Sequence, residues 1–550
     1  DLHSFPTRRS SDLRFQAVQA LSDFCCALHI NVPTGKDSLS LSQQYPNGEK
    51  IISPGTVIVS AGGEVSDVKK VISPVLVNDH RASLYHIDFS FCEQRLGGSA
   101  FAQSLGFVGY DVPTVCNPEY FADAFCAVQQ LIHKGWVLAG HDISAGGLIT
   151  CLLEMTFANT RGGLHINLHD LLANSTPEGG QPDIVKALFA ENPGVVIEVS
   201  DEHKYEFREF MEDLCIGYAK IGYPVEEGRS LEIVCPVCCD SVAKNGTETL
   251  SFDIDHLRDV WYKTSYLLDR QQSMNGKALE RFENYKQQPL QMKFPRGFQG
   301  KLSQYGITTH PSPLSPEKPK AAIIREKGTN GEREMAWSLY LAGFDVKDVM
   351  MTDLITGRET LDEVQMIVFC GGFSNSDVLG SAKGWAGAFL YNPKAKEALD
   401  RFYARPDTLS LGICNGCQLM VELGLVRSEK LGVRSCELGV RSEELGVKSY
   451  DGAATPNSKL LTPNSIRMLH NDSHKFESGF ITLQIPQNDS VMFGSLSGSK
   501  LGIWVAHGEG KFHLPGKESD YNIVAKYNYH GYPANPNGSD FDVAGICSED

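Results

Sequence analysis

The apolar positions of this chain change their period along its length. At residues 14–29 they recur at helical spacing (Phe15, Val18, Leu21, Phe24, Cys25, Leu28), which predicts a helix. A short strand at 30–32 and the loop Pro33-Thr34-Gly35-Lys36-Asp37-Ser38 should follow. Apolar runs at 56–60, 83–89, 136–139, 194–199 and 230–235 read as strands, with helices at 100–105 and from Leu148 onward. Residues 250–319 hold a polar helix (270–287) and then Pro-rich text, which reads as a connector. From Lys320 strand and helix alternate. Runs at 321–325, 344–350, 364–369 and 409–413 each precede a loop or helix, the sign of a parallel sheet with its sites at the carboxyl edge.

Two stretches fall outside this pattern. The opening DLHSFPTRRSSDL has no periodicity and reads as non-native sequence. Later, LGVRSCE, LGVRSEE and LGVKSYD repeat with a period of seven, followed by TPNSKLL and TPNS. Their apolar residues stand two apart and each LGV unit holds a glycine, so no coiled-coil seam forms. Residues 427–465 are expected to be a solvated insert.

Composition narrows the class. A chain of 550 residues suggests three or four domains, and 42% hydrophobic with 21% charged residues is ordinary globular usage. A net charge of -17 argues against a general nucleic-acid surface, so any phosphate must be met locally by helix N-termini or glycine loops. The 15 cysteines, with adjacent pairs Cys25-Cys26 and Cys238-Cys239, do not suggest a disulfide framework and fit a reducing cytosol. No apolar run approaches a membrane span and no signal-peptide layout opens the chain, so a cytoplasmic protein is expected.

The strongest candidate chemistry is LSLGICNGCQLM at residues 409–420. Strand, tight turn and helix follow one another, and Gly412, Cys414 and Gly416 reproduce the G-x-S-x-G spacing that projects a nucleophile beyond a sheet edge. The helix start should lower the Cys414 thiol pKa, and the Asn415 amide points where an oxyanion would form. Competing readings are a C-x-x-C redox or zinc pair, Cys414 with Cys417 beside Cys235 with Cys238, and a buried structural thiol. The elbow is preferred because a second loop, CGGFSNSD at 370–377, follows another apolar strand and offers further backbone amides. A second candidate lies in HDISAGG at 141–147, where Asp142 could ligate a magnesium ion and Ser144 a phosphate, or either could cap the helix. Gly97-Gly98 before a helix is open between phosphate binding and close packing.

GICNGCQ, GGFSNSDVLG, AAIIREKGTNGEREMA, NDSHKFES and AHGEGKF together resemble the large single-chain phosphoribosylformylglycinamidine synthase family. VPTGKDSLSL and HDISAGGL resemble its second aminoimidazole-ribonucleotide-synthetase-like half. The resemblance implies an α/β and α+β multidomain fold, a synthetase-like half followed by a class I glutaminase-like doubly wound parallel sheet. It divides the chain into 1–13 (non-native), 14–70 and 80–245 (synthetase-like), 246–319 (connector) and 320–550 (glutaminase, with the insert). It implies ATP-driven amidation of formylglycinamide ribonucleotide with glutamine as donor, with Mg2+ and ATP or ADP as cofactors. The N-terminal half of the same polypeptide would be the partner. Residue by residue it makes Cys414 the nucleophile, the amides near Phe373 and at Asn415 the oxyanion donors, Asp142 a magnesium ligand and Ser144 a nucleotide contact. Ala145 stands where many relatives carry an acid, and Asn375-Ser376 replace the usual Tyr-Gly. The family's proton relay belongs to a His-Pro-Glu motif expected beyond Asp550, so His507 and Glu509 are expected near the glutamine pocket or in loop structure, with a substitute relay as the alternative. A non-catalytic binding fragment, or an amidotransferase for another substrate, are the alternatives.

Overall fold

Both faces of the sheet formed between residues 82 and 253 are covered, and the alternation along its strands shows how. The computed structural model describes residues 7–35, 42–52, 58–65, 67–79, 81–175, 183–236, 247–305, 318–426 and 466–548. It separates into two units, Asp1–Trp261 and Tyr262–Asp550.

In the first unit the strands are β1 (Ala82–Asp88), β2 (Val137–Asp142), β3 (Gly163–Asn167), β4 (Gly194–Ser200), β5 (Ala219–Val225), β6 (Ser230–Pro236) and β7 (Thr247–Asp253). Their order is β2-β4-β1-β5-β3-β6-β7, and only the β3–β6 pair is parallel. Leu84 and Val196 enter one core with Leu152 and Met155 of helix α3 (Gly147–Phe157). Their neighbours Tyr85 and Ile197 enter the other, with Leu131 of α2 (Pro118–Lys134) and Phe207 of α4 (Lys204–Asp213). Successive side chains point to opposite faces, so a continuous apolar run is what a doubly covered strand requires.

Several expectations shift here. Helix α1 runs Thr7–Ala27, so residues 7–13, read as outside the fold, begin a helix that ends near the expected place. Residues 30–32 form no strand; a hairpin of Ser42–Gln44 and Lys50–Ile52 follows instead. Lys36, Asp37 and Ser38, Thr56, Cys238 and the insert at 427–465 lie outside the described residues, as does the side chain of Cys235. Cys92 and Cys116 are disulfide-bonded, a pair the sequence did not point to. The Gly97-Gly98 turn is a packing feature: a Cβ on Gly97 would lie 2.5 Å from the Asp111 carbonyl oxygen.

In the second unit β8 (Lys320–Arg325), β9 (Asp345–Met350), β10 (Met366–Phe369) and β11 (Leu409–Gly412) form an all-parallel sheet in the order β9-β8-β10-β11. Helices α5 (Glu332–Leu341), α6 (Lys383–Tyr391), α7 (Pro393–Tyr403) and α8 (Asn415–Glu422) accompany it. A second, antiparallel sheet of β12 (Glu477–Gln484), β13 (Lys500–His507), β14 (Asn522–Tyr527) and β15 (Val543–Cys547) has the order β13-β12-β14-β15. The connector is more structured than expected. Its start is β7 of the first sheet, and the helix Lys277–Asn284 packs onto the second unit, where the Asn284 side chain donates to the Tyr532 carbonyl at 2.6 Å. Among the described residues no helix is long and apolar enough to cross a membrane.

Candidate active site

Strand β11 ends at Gly412 and helix α8 starts at Asn415, which leaves Cys414 to make the turn at φ 54°, ψ -112°. An L-residue at positive φ is strained, and the surroundings enforce it. A Cβ on Gly416 would sit 2.0 Å from the Phe369 carbonyl oxygen, and one on Gly412 would sit 2.6 Å from that of Gly416. Only glycine lets the helix start this close to the sheet. Burial pushes the Cys414 thiol pKa up, while the amides of Asn415 and Gly372 hydrogen-bond to the sulfur and pull it down. The helix start therefore acts in the expected direction, but burial outweighs it and the net shift is upward. Cys417, in the first turn of α8, is half-buried, and desolvation pushes its thiol up to about 12.

The loop after β10 differs from expectation by one residue. The Phe373 amide donates to the Gly328 carbonyl at 2.8 Å, so the amide that faces the sulfur belongs to Gly372. Asn415, 1% exposed, ties this loop to the elbow: its Oδ1 accepts from the Ser374 amide at 3.2 Å and its Nδ2 donates to Gln418 Oε1 at 3.0 Å. Asn375 and Ser376, at φ 52° and 56°, hold left-handed conformations without a glycine.

Cys414 opens onto a cavity of about 570 Å3 whose walls include Gly372, Phe373, Lys475, His507 and Glu509. His507 and Glu509 thus reach the cavity, yet they do not pair with each other. His507 Nε2 lies 2.9 Å from Asn537 Oδ1, and the Glu509 carboxylate lies 3.5 Å from His470 Nδ1. Burial holds the His507 pKa below its ordinary value. Sequence reasoning missed Asn471, which is fully buried and clamps this wall: its Nδ2 donates to the His507 carbonyl at 2.7 Å and its Oδ1 accepts from Gly510 N at 3.0 Å. It also missed His470, His474 and Lys475, which line the cavity. For Asn471, His474 and Lys475 the signal lies in the NDSHKFES stretch, which gathers a carboxamide, an imidazole and an ammonium within five residues.

In the first unit Asp142 ends β2 with its side chain 73% exposed, 3.3 Å from His141 Nδ1. Ser144 is exposed in the following turn. Neither caps α3: its N-cap is Gly146, without a side-chain hydrogen bond. Instead Glu191 Oε1 accepts from the amides of Gly146 at 2.8 Å and Ala100 at 2.7 Å. A carboxylate thus takes the amides a phosphate would seek. Among the described residues no group of three or more His, Cys, Asp or Glu side chains converges on a metal position. One exposed carboxylate does not make a magnesium site, so the residues present do not by themselves fit the ion.

Three family models match the chain: an FGAR-AT PurM_N-like domain at residues 7–64, an AIR synthase related protein C-terminal domain at 93–234, and a CobB/CobQ-like glutamine amidotransferase domain at 318–550. The probable phosphoribosylformylglycinamidine synthase, chloroplastic/mitochondrial, of Arabidopsis thaliana is 36% identical over 98% of this chain and 35% of its own length. The phosphoribosylformylglycinamidine synthase of Drosophila melanogaster is 35% identical over 98% of this chain and 38% of its own, and that of Homo sapiens 34% over 97% and 38%. Nearly the whole of the chain is therefore similar to a part of phosphoribosylformylglycinamidine synthases. It spans 35% to 38% of the length of these synthases. The amidotransferase model covers the whole Cys414 cavity, and the AIR synthase related model covers Asp142 and Ser144.

Proposed function

We propose that the second unit is the glutaminase of a formylglycinamide ribonucleotide amidotransferase and that Cys414 is its nucleophile. The observation that carries this reading is the strained Cys414 turn with its sulfur facing the amides of Asn415 and Gly372. In the proposed chemistry the sulfur attacks the amide carbon of glutamine, and the two amides hold the oxygen as it gains charge. The thiol proton passes to the amide nitrogen, which leaves as ammonia when the carbon–nitrogen bond breaks, and water then hydrolyses the thioester to glutamate and the free thiol. His507 and Glu509 serve as cavity walls in this reading, since each is bonded elsewhere. Ammonia release from glutamine should fall about a hundredfold or more in Cys414→Ala and far less in His507→Ala. Turnover that survives in Cys414→Ala would remove the nucleophile from the proposal, and equal losses would make His507 the base.

In the same proposal, the whole polypeptide, with its N-terminal half as partner, uses the ammonia and ATP to amidate formylglycinamide ribonucleotide in the cytoplasm. The identity of the Drosophila and human synthases to this chain, at 35% and 34%, supports that substrate over another acceptor. The nucleotide role of Ser144, and of Asp142 as ligand to magnesium carried with ADP or ATP, rests on the HDISAGGL signature and not on the local geometry. Titration with ADP and magnesium should give heat that weakens in Asp142→Ala. Heat unchanged by that substitution would reduce Asp142 to an exposed turn residue.

A further inference from the structure

Among the described residues, the walls of the Cys414 cavity carry three carboxylates, from Glu334, Asp377 and Glu509, but one lysine or arginine, Lys475. A lysine on a loop is ordinarily mobile and solvated. This one is 17% exposed and its ammonium is bonded to Asp269, itself 8% exposed. Asp269 lies on the helix Ile254–Gln272, in a part of the chain read from sequence as connector. It is held in turn by Ser273 Oγ, which donates at 2.5 Å, and by Arg281, whose Nη1 lies 3.3 Å away. Burial alone would raise the Asp269 carboxyl, but the Lys475 and Ser273 hydrogen bonds and the Arg281 charge hold it below its ordinary value, so the acid stays charged. Two residues on, Glu477 is fixed the same way, by Arg281 Nη2 at 2.8 Å and the Tyr532 hydroxyl at 3.1 Å. The ammonium is therefore held by Asp269, while Arg281 and Tyr532 hold the side chain two residues on. An ammonium has three donors, and one Asp269 oxygen engages one of them.

We infer that Lys475, oriented by Asp269, is the cation that receives the α-carboxylate of glutamine, so that the cavity selects the free amino acid over amides lacking that group. The inference rests on the reading of Cys414 as glutaminase nucleophile. The reacting amide must reach the sulfur while the far end of the substrate meets a group of opposite charge. Among the described residues, Lys475 is the one lysine or arginine on the cavity wall. Fixing the ammonium before the substrate arrives spares the complex the cost of ordering it. Asp269 is accordingly a positioning residue, and Lys475 a contact to substrate.

The test follows covalent labelling of Cys414 in the full chain by the diazoketone analogue of L-glutamine, which carries the α-carboxylate, beside iodoacetamide, which does not. Peptide mass spectrometry gives the concentration for half-maximal labelling rate and the limiting rate for each. In Lys475→Met the analogue's half-saturating concentration should rise about tenfold or more, with the limiting rate and the iodoacetamide rate little changed. Lys475→Arg should restore most of the affinity, and Asp269→Asn should raise the concentration by a smaller factor. A half-saturating concentration that stays put in both Lys475→Met and Asp269→Asn overturns the inference and leaves the nucleophile standing. Parallel loss of iodoacetamide labelling in Lys475→Met and Lys475→Arg assigns the lysine to structure and also overturns it. Failure of the analogue to label the unaltered chain, while iodoacetamide labels Cys414, overturns the glutaminase reading with it.

Discussion

Cys414 shows what a residue can and cannot disclose in sequence. The spacing of Gly412, Cys414 and Gly416 was readable because a Cβ at either flank would collide with backbone, and that steric demand is local. Which loop amide faces the sulfur was not readable: Phe373 loses its amide to Gly328, a contact that exists only once the loops are folded together. The pairing of His507 with Asn537 and of Glu509 with His470 was hidden for the same reason, although an H-x-E spacing suggested a dyad. The strain at Cys414 makes a prediction. Holding a non-glycine residue at φ 54° costs about 1–3 kcal/mol, and a glycine there costs about 0.5–1 kcal/mol in chain entropy. Cys414→Gly should thus raise the unfolding free energy of the second unit by roughly 1 kcal/mol while abolishing thiol chemistry. Urea titration of the two chains decides it, and a variant less stable than its parent would show that the turn is not strained.

Among the elements, the apolar runs located β1, β2, β4, β6 and β8–β11 to within three residues, while β3, β5 and the antiparallel strands β12–β15 were not read from the pattern. The polar edge strand β7, Thr247–Asp253, was absorbed into the connector, and the run at residues 30–32 found no partner strand. Strand β4 conceals something else: Glu198 sits within GVVIEVS at 0% exposure. Its Oε2 accepts from the Val77 amide at 2.9 Å, and its Oε1 has no partner among the described residues. Burial, reinforced by Asp79 and opposed by the Val77 amide, pushes its pKa from 4.5 to about 7. Below the unfolded value the acid is neutral in both states and costs nothing. As pH rises toward the folded value, the unfolded chain ionises and the folded one resists, so stability falls, by about 3 kcal/mol in all, and levels off above it. Glu198→Gln should flatten this dependence. Urea unfolding of the first unit near about pH 5 and about pH 8 would show it, and an unchanged loss in the variant would clear Glu198 of the effect.

For the whole molecule, the match to an amidotransferase domain begins at residue 318, but the compact unit begins at Tyr262. The difference is structural. Residues 262–293 supply Asp269 to Lys475, Arg281 to the buried Glu477, and Asn284 to the Tyr532 carbonyl. Gln288 accepts from the Ala534 amide at 3.0 Å, and the Tyr529 hydroxyl donates to the Pro289 carbonyl at 2.9 Å. A chain cut at the domain-model boundary would keep Glu477, 2% exposed, and lose the guanidinium that compensates it. Removing one partner of a buried ion pair costs about 3–5 kcal/mol, a large share of the roughly 5–15 kcal/mol that holds a domain folded. A protein of residues 262–550 should therefore unfold cooperatively, with Cys414 as reactive as in the full chain. One of residues 318–550 should be unfolded or melt far lower. Expressing both and comparing their melting curves and Cys414 alkylation settles the boundary. Equal melting of the two would return residues 262–317 to the role of a simple connector and leave the Lys475 anchor without structural weight.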